Sequence, residues 1–212
     1  MDIVENKYTY LKNTPSDINE HLETLYTYAT TCESVIELGV RGCVSSWALL
    51  KGLLDNNQNT KKIFLNDLEH CNIDELLQIV KKINEDTHSY HKVEIDYKWV
   101  SDLDLNITCN YDLTFIDTWH IYGQLKRELD KFSKCTNKYI IMHDTTVDEI
   151  YGENIRMNCN IKELQKKSCF TEEELTTGLK RAIDEFLIEN SNWKLKEKFT
   201  NNNGLTILEK VN

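Results

Sequence analysis

Short apolar runs alternate with helical patterns along most of this sequence. The stretches that are typical of strands are residues 34–38, 62–65, 93–100, 113–116 and 139–142, and the first of them has the composition of a buried strand. Between them, apolar residues recur three or four positions apart, as on one face of a helix. Strands that alternate with helices through short connections indicate parallel crossovers. The pattern therefore predicts an α/β fold with a parallel sheet.

The two ends of the chain depart from this alternation. Trp193, Leu195 and Phe199 mostly alternate with polar residues, and an Asn/Gly-rich turn then leads into a second apolar run at 205–208, which predicts a closing antiparallel hairpin. Residues 1–15 are polar and end at the only proline, so we expect an N-terminal arm there. Residues 16–212 are then expected to form a single domain.

Two possible capping boxes and one stretch without periodicity add expectations about helix starts and loops. Asn72 with Glu75, and Thr171 with Glu174, have the spacing of capping boxes. The second box should open the clearest amphipathic helix of the chain, which runs to Leu187. Residues 145–170 show no strong period, which is typical of a loop that covers a substrate.

Composition limits the classes of function. With 40% hydrophobic and 28% charged residues, the 212-residue chain can bury a sizeable core. A net charge of −10 argues against a general nucleic-acid surface. Seven cysteines without a C-x-x-C pair fit reduced thiols better than disulfides or structural zinc. No run reaches the ~18 apolar residues of a membrane span, and the first residues lack the charged-then-apolar order that is typical of a signal peptide. We expect a cytoplasmic protein with neither nucleic acid nor a membrane as partner.

Acid–histidine pairs follow two successive predicted strands. Asp117 and His120 come after the first strand, and His143 and Asp144 after the second. Parallel strands of an open α/β sheet bring their carboxyl ends to one edge, where ligands bind. Each residue alone has a structural interpretation, because aspartate at a strand end is often a turn or cap residue. Two such pairs in succession favour a site for metal binding or proton transfer.

A glycine and two carboxylates mark the ends of the first two predicted strands. Glu37 and Gly39 close the first strand, and Asp67 closes the second. Glycine lets a ligand approach the backbone, while the G-x-G-x-x-G pattern of dinucleotide enzymes is absent. The carboxylates suit a ligand with a cationic end and ribose hydroxyls, as in S-adenosylmethionine. The alternative is that Glu37 caps a turn that Gly39 merely closes.

Four stretches carry a family resemblance: V-I-E-L-G-V-R-G-C-V-S-S-W (35–47), D-L-T-F-I-D-T-W-H-I-Y (112–122), I-M-H-D-T (141–145) and N-N-G-L-T-I-L (202–208). The sequence resembles class I S-adenosylmethionine-dependent methyltransferases, in particular the metal-assisted, sugar-type O-methyltransferase branch. The resemblance implies a doubly wound, mostly parallel seven-stranded sheet with a C-terminal antiparallel hairpin, the Rossmann-like methyltransferase fold. Cys43 stands where this family often has a second glycine.

The resemblance also implies roles for particular residues. Glu37 and Gly39 would flank the methionine portion of the cofactor, Asp67 would meet the ribose, and Ser101 with Asp102 would lie near the adenine. The full set implied to bind the cofactor is Glu37, Gly39, Ser45, Asp67, Ser101 and Asp102.

The same resemblance implies a catalytic and metal site. Asp117, His143 and Asp144 would hold a divalent cation, most readily Mg²⁺, with the two carboxylates ranked above the imidazole because Mg²⁺ prefers oxygen ligands. The D-x-x-H spacing of Asp117 and His120 is similar to that of sugar O-methyltransferases, where the histidine serves as general base. An imidazole with an ordinary pKa is largely unprotonated near neutrality and can take that role.

The expected activity is transfer of a methyl group from S-adenosylmethionine to a hydroxyl of a small-molecule or glycan acceptor, most readily a sugar. Trp119, Tyr122 and Tyr151 would stack on the sugar ring. One alternative is a nucleotide-sugar-dependent glycosyltransferase that uses Asp102-Leu-Asp104 to hold a metal. Another is a catalytically silent methyltransferase fold that serves as an interaction module.

Overall fold

The computed structural model describes residues 2–58, 60–86 and 91–211, except for the side chain of Asp2. The chain divides into two compact units, Met1–Ile116 and Asp117–Asn212. The helices of the first unit are α1 (Asp2–Lys12), α2 (Leu22–Ala29), α3 (Val44–Asp55) and α4 (Asp74–Glu85). Its strands are β1 (Ser34–Leu38), β2 (Thr60–Asp67), β3 (Lys92–Trp99) and β4 (Tyr111–Ile116).

The strands of the first unit are parallel neighbours. Val35 of β1 lies opposite Ile63 of β2 on one side and Leu113 of β4 on the other. All six residues of β4 are buried, as expected for a parallel strand covered on both faces. The runs at 34–38, 62–65 and 113–116 therefore lie within β1, β2 and β4, while the run at 93–100 falls on β3 at the edge of the sheet.

The N-terminal segment is helical in the structure. Val4 and Tyr8 of α1 are buried, with 1% and 7% of their surfaces exposed. Lys7 of this helix pairs with Glu75 of α4 at 2.6 Å. Residues 2–12 are thus attached to the first unit, while the expected boundary at residue 15 and the single-domain organisation stay predictions.

The second unit contains five helices within its described residues, α5 (Tyr122–Phe132), α6 (Glu153–Arg156), α7 (Ile161–Lys167), α8 (Glu172–Thr176) and α9 (Leu179–Glu189). Its strands are β5 (Thr136–His143), β6 (Trp193–Phe199) and β7 (Leu205–Lys210). Strand β7 pairs antiparallel with both β5 and β6. The predicted closing hairpin is confirmed, and β7 is the strand inserted next to β5.

The seven strands form one sheet in the order β3-β2-β1-β4-β5-β7-β6. The predicted α/β class, the doubly wound parallel core and the antiparallel C-terminal hairpin are confirmed. Across the described residues, none of the helices has both the length and the apolar character that a membrane crossing requires. The seven cysteines are all free thiols.

Three local predictions differ from the structure. Asn72 does not form a capping box, because α4 begins at Asp74 and the Asn72 side chain accepts a hydrogen bond from the Asp74 backbone instead. Residues 145–170 are not an unstructured loop, since they contain α6 and α7. The capping box at Thr171 is present, but its helix ends at Thr176. The Thr177 carbonyl there accepts from the Tyr122 backbone, which interrupts the helix before α9.

Candidate functional site

The loop after β1 has a backbone conformation that favours glycine. Gly39 has φ +89°, a region in which a side chain would be strained. Its N–H donates to the carbonyl of Asn66 at 2.9 Å. Arg41 and Cys43 also have positive φ, at 41° and 58°. Cys43 therefore adopts a conformation that the family's second glycine would adopt without strain.

Asp67 at the end of β2 holds this loop in place. Its Oδ2 accepts hydrogen bonds from the backbone N–H groups of Val40 at 3.0 Å and Arg41 at 2.9 Å. Its Oδ1 accepts from the Glu69 backbone at 3.0 Å. Burial raises the pKa of this carboxyl, but the backbone hydrogen bonds outweigh it and hold the pKa below its usual value. Much of the carboxylate's acceptor capacity is thus used by the loop, and its contact with a ribose stays a prediction.

Asn66 joins three strand ends and was not singled out from the sequence. Its side-chain amide donates to the carbonyls of Lys98 at 3.0 Å and Val100 at 2.9 Å, beyond the end of β3. Its backbone carbonyl receives the Gly39 N–H. The available signal was an amide that directly follows the apolar run at 63–65, next to the last residue of β2.

The remaining predicted cofactor residues lie in the same unit. Glu37 is fully buried and accepts a hydrogen bond from the Ser45 hydroxyl in the first turn of α3. Ser101 precedes a 3₁₀ turn, Asp102–Asp104, in which Asp102 is buried and Asp104 is exposed. The two carboxylates of Asp102-Leu-Asp104 therefore lie in different surroundings. The role of Ser101 and Asp102 in cofactor binding stays a prediction, and so does the alternative role of Asp102 and Asp104 in holding a metal.

The second unit brings Asp117, His120, His143 and Asp144 together. His120 Nε2 lies 3.2 Å from Asp117 Oδ1 and 3.1 Å from Asp144 Oδ2. His143 Nδ1 lies 3.3 Å from the same Asp117 oxygen and 3.4 Å from the same Asp144 oxygen. Two imidazoles therefore face one pair of carboxylate oxygens.

The turn between β6 and β7 supports this cluster. Asn202, Asn203 and Gly204 have φ of 43°, 70° and 99°. The Asn203 carbonyl accepts hydrogen bonds from the backbones of Thr146 and Val147, both at 2.9 Å. A Cβ added at Gly204 would lie 2.3 Å from Thr146 Oγ1, so only glycine fits. The N-N-G motif thus fixes the segment that directly follows Asp144.

Asp148 and Arg156 form a second layer behind His120. Asp148 is fully buried and its two oxygens accept hydrogen bonds from Arg156 Nε and Nη2, each at 2.8 Å. Asp148 Oδ2 lies 3.4 Å from His120 Nδ1, and Glu153 Oε2 lies 3.6 Å from the same nitrogen. The sequence interpretation missed Asp148. The available signal was an acid four residues after Asp144.

The carboxylates change the protonation of both histidines. Burial lowers the pKa of His120, but hydrogen bonds to Asp117 and Asp148 outweigh it and raise the pKa to about 10. The pKa of His143 is likewise raised to about 10 by Asp117 and Asp144, against the effect of burial. The pKa of Asp117 is lowered, because both imidazoles outweigh its burial. The expectation that His120 is largely unprotonated near neutrality is therefore wrong for the metal-free chain.

The donor set fits a divalent cation. Asp117, His120 and Asp144 each offer a ligand atom within 4.8 Å of the others. Asp144 is 7% exposed, and its Oδ1 is buried with no hydrogen-bond partner. Buried carboxylate oxygens without a partner are costly, and a cation bound between the carboxylates would offset that cost. The residues present thus fit the metal that the resemblance implies.

The aromatic residues expected to stack on a sugar have different surroundings. Tyr122 is buried, its hydroxyl donates to Glu185 at 2.7 Å, and the Arg181 guanidinium covers its ring at 4.6 Å. Tyr122 is therefore not available to a sugar. Tyr151 is 69% exposed. Trp119 is partly exposed and donates from its indole to Asn154 at 3.2 Å.

No protein-family model and no curated protein matches the sequence. Solved structures share its fold. The SAH-bound methyltransferase PaMTH1 from Podospora anserina matches with a TM-score of 0.58 and 13% identity, over 100% of this chain and 89% of that one. An O-methyltransferase from Bacillus cereus in complex with SAH matches at 0.53 and 12%, over 99% and 91%. The O-methyltransferase TomG from Streptomyces achromogenes, in complex with SAM, matches at 0.52 and 12%, over 94% and 82%. The chain thus has the fold of these methyltransferases.

Proposed function

We propose that this protein is an S-adenosylmethionine-dependent O-methyltransferase. The observation that carries the proposal is the cluster of Asp117, His120, His143 and Asp144, which follows β4 and β5 in a fold shared with O-methyltransferases. Functional sites are recognised by such arrangements of titratable groups, because a fold alone hosts many functions. The free thiols support a reducing, cytoplasmic setting.

The first unit would bind the cofactor, which supplies a methyl group on a sulfonium centre. The buried Glu37 carboxylate suits the cationic end of that molecule, and Gly39 allows close approach to the backbone. Asp67 orders the loop between them through the backbone of Val40 and Arg41. Any ribose contact of Asp67 would be added to this ordering role.

The second unit would remove the acceptor proton. Asp148 Oδ2 lies 3.4 Å from Nδ1 of His120, so Nε2 would be the nitrogen that accepts the proton of the acceptor hydroxyl. Asp148 would stabilise the imidazolium that results, as a carboxylate does in other acid–histidine pairs. A divalent cation at Asp117 and Asp144 supplies positive charge that acidifies a nearby hydroxyl. The same charge opposes the attraction that now raises the His120 pKa, so proton acceptance by His120 depends on a bound metal.

The proposed acceptor carries neighbouring hydroxyls, with a sugar preferred and a catechol as the second choice. Two adjacent oxygens suit a site with one metal and one base. The exposed ring of Tyr151 and the partly exposed Trp119 support binding of a sugar ring by its apolar face. Tyr122 has no part in this contact, because Arg181 and Glu185 occupy it.

The test is methyl transfer from S-adenosylmethionine to a panel of glycosides and catechols, followed as formation of S-adenosylhomocysteine. The His120→Ala variant should bind the cofactor normally, while its turnover falls roughly 10²–10⁴-fold, the range for loss of a general base. His70→Ala is the control, because His70 is an exposed histidine of the other unit. Near-normal turnover of His120→Ala would show that His120 is not the base.

Removal of the metal tests the other part of the proposal. Exhaustive chelation should abolish transfer, and a divalent cation should restore it. Transfer that survives chelation unchanged would leave Asp117 and Asp144 as structural turn and pairing residues.

A further inference from the structure

The two histidines of the cluster differ in what lies behind them. His143 Nε2 lies 3.1 Å from the backbone carbonyl of Asn202, an acceptor that requires N–H on this nitrogen. His120 Nδ1, the ring nitrogen away from Asp117 and Asp144, lies near the carboxylates of Asp148 and Glu153 instead. A metal-bound histidine typically donates its far N–H to a carbonyl or carboxylate, which directs the near nitrogen at the metal. A carboxylate behind the ring additionally stabilises an imidazolium, as a general base requires.

The two imidazoles also differ in the fraction of their surface that is exposed. The His143 side chain is 1% exposed, whereas that of His120 is 15% exposed. A base must reach the acceptor molecule, but a ligand need only reach the metal. His143 is therefore the better ligand, and His120 stays available to the acceptor.

The spacing of the donor atoms agrees with coordination. His143 Nδ1 lies 3.3 Å and 3.4 Å from the Asp117 and Asp144 oxygens. For bonds of about 2.1 Å, neighbouring ligands are about 3.0 Å apart at right angles and about 3.4 Å apart at tetrahedral angles. His120 Nε2 lies at similar distances from the same oxygens, 3.2 Å and 3.1 Å, so the spacing permits either imidazole as ligand. The groups behind the two rings and the exposure of the rings favour His143.

We propose that His143 is the nitrogen ligand of a mixed site with Asp117 and Asp144, and that this site selects Zn²⁺ over Mg²⁺. The inference deepens the proposed metal-assisted function. Mg²⁺ is bound chiefly through oxygen ligands and retained waters, whereas an imidazole suits zinc and its neighbours. The Mg²⁺ expected from the family resemblance would therefore bind to this site more weakly than Zn²⁺.

The test uses the full-length chain after removal of metals. Calorimetric titrations with Zn²⁺, Mn²⁺ and Mg²⁺ give the affinities, and the visible absorbance of added Co²⁺ reports the coordination geometry. We expect one site, with Zn²⁺ bound at least about 100-fold more tightly than Mg²⁺ and with Mn²⁺ between the two. Equal affinity for Mg²⁺ and Zn²⁺ would overturn the selectivity. Failure of every ion to bind would overturn the site.

Variants identify the nitrogen ligand. His143→Gln should lower Zn²⁺ affinity at least about tenfold and bring it closer to that of Mg²⁺, since an amide oxygen replaces the imidazole. His120→Gln should retain Zn²⁺ within a few-fold, and His70→Gln is the matched control. If His120→Gln loses Zn²⁺ as His143→Gln does, the division of roles is wrong.

Two further measurements keep the test interpretable. Because His143 is buried, circular dichroism must show that His143→Gln is folded; if it is not, His143→Asn takes its place. Parallel titration with S-adenosylhomocysteine separates the two proposals. Cofactor binding without metal selectivity contradicts only this inference, whereas loss of cofactor binding contradicts the proposed function.

Discussion

The ion pair between Asp148 and Arg156 gives a prediction that depends on the structure and not on the acceptor. Asp148 is fully buried, and Arg156 donates two hydrogen bonds of 2.8 Å to it. The Asp148→Asn substitution keeps the shape of the side chain but removes its charge. It leaves Arg156 with a weaker acceptor and removes the carboxylate behind His120.

The expected cost follows from burial. Breaking a buried ion pair costs about 3–5 kcal/mol, but that range applies when both partners are buried. The Arg156 side chain is 41% exposed, so water replaces part of what it loses. The asparagine can still accept one hydrogen bond. We therefore expect Asp148→Asn to lower the free energy of unfolding by about 2 kcal/mol, or Tm by about 4–8 °C.

The assay is denaturant and thermal unfolding in the presence of a chelator. Asp184→Asn is the control, because Asp184 pairs with Lys180 of the same helix and is 52% exposed. A surface pair of this kind contributes at most about 1 kcal/mol. If Asp148→Asn were no more destabilising than Asp184→Asn, the buried ion pair would not stabilise the second unit as argued.

Three more predictions concern pH, the hairpin turn and the cofactor loop. The pKa values of His120 and His143 are about 10 in the folded protein, against 6.5 for an ordinary histidine. The free energy of unfolding of the metal-free protein should therefore fall as pH rises from about 7 to about 10. Thermal melts whose Tm does not change over this pH range would contradict the prediction. Gly204→Ala should destabilise by at least about 1 kcal/mol in urea unfolding, whereas Gly42→Ala, whose added Cβ meets nothing nearer than 4.0 Å, should have little effect. Asp67→Ala should weaken S-adenosylhomocysteine binding about 10-fold or more by calorimetry, because the loop amides lose their acceptor; unchanged affinity would exclude that role.

The pattern of apolar residues predicted those strands whose burial in the sheet dictates that pattern. The buried runs became β1, β4 and β5 because a strand covered on both faces must be apolar at nearly every position. The alternation at 193–199 became β6 at the edge of the sheet for the complementary reason, since that strand is largely exposed. These patterns need no knowledge of distant contacts.

Elements set by distant hydrogen bonds were not predictable in this way. The helix opened by Thr171 ends at Thr176 because the next carbonyl is bound by the backbone of Tyr122. The helix after Asn72 likewise begins later than its capping spacing indicates. The end at Thr176 depends on how the chain returns to itself, which a local pattern does not contain, whereas the later start follows from the hydrogen bond between Asn72 and Asp74.

The residues of the candidate site were likewise predictable only in part. The placement of Asp117, His120, His143 and Asp144 after two strands indicated a cluster, and the structure brings the four together. Asp148 lies in a stretch without period, so only the fold shows that it supports His120. The raised pKa of His120 also required the structure, because it results from carboxylates at either side of the ring.

The measurement that tests the central claim most directly is a calorimetric titration of the full-length protein with S-adenosylmethionine, run beside one with a nucleotide sugar. Binding of S-adenosylmethionine at a single saturable site, with no heat from the nucleotide sugar, is the result we predict. Binding of the nucleotide sugar alone would favour a glycosyltransferase that uses Asp102 and Asp104. If neither ligand binds, the chain uses the methyltransferase fold without its cofactor, and the proposed function is wrong.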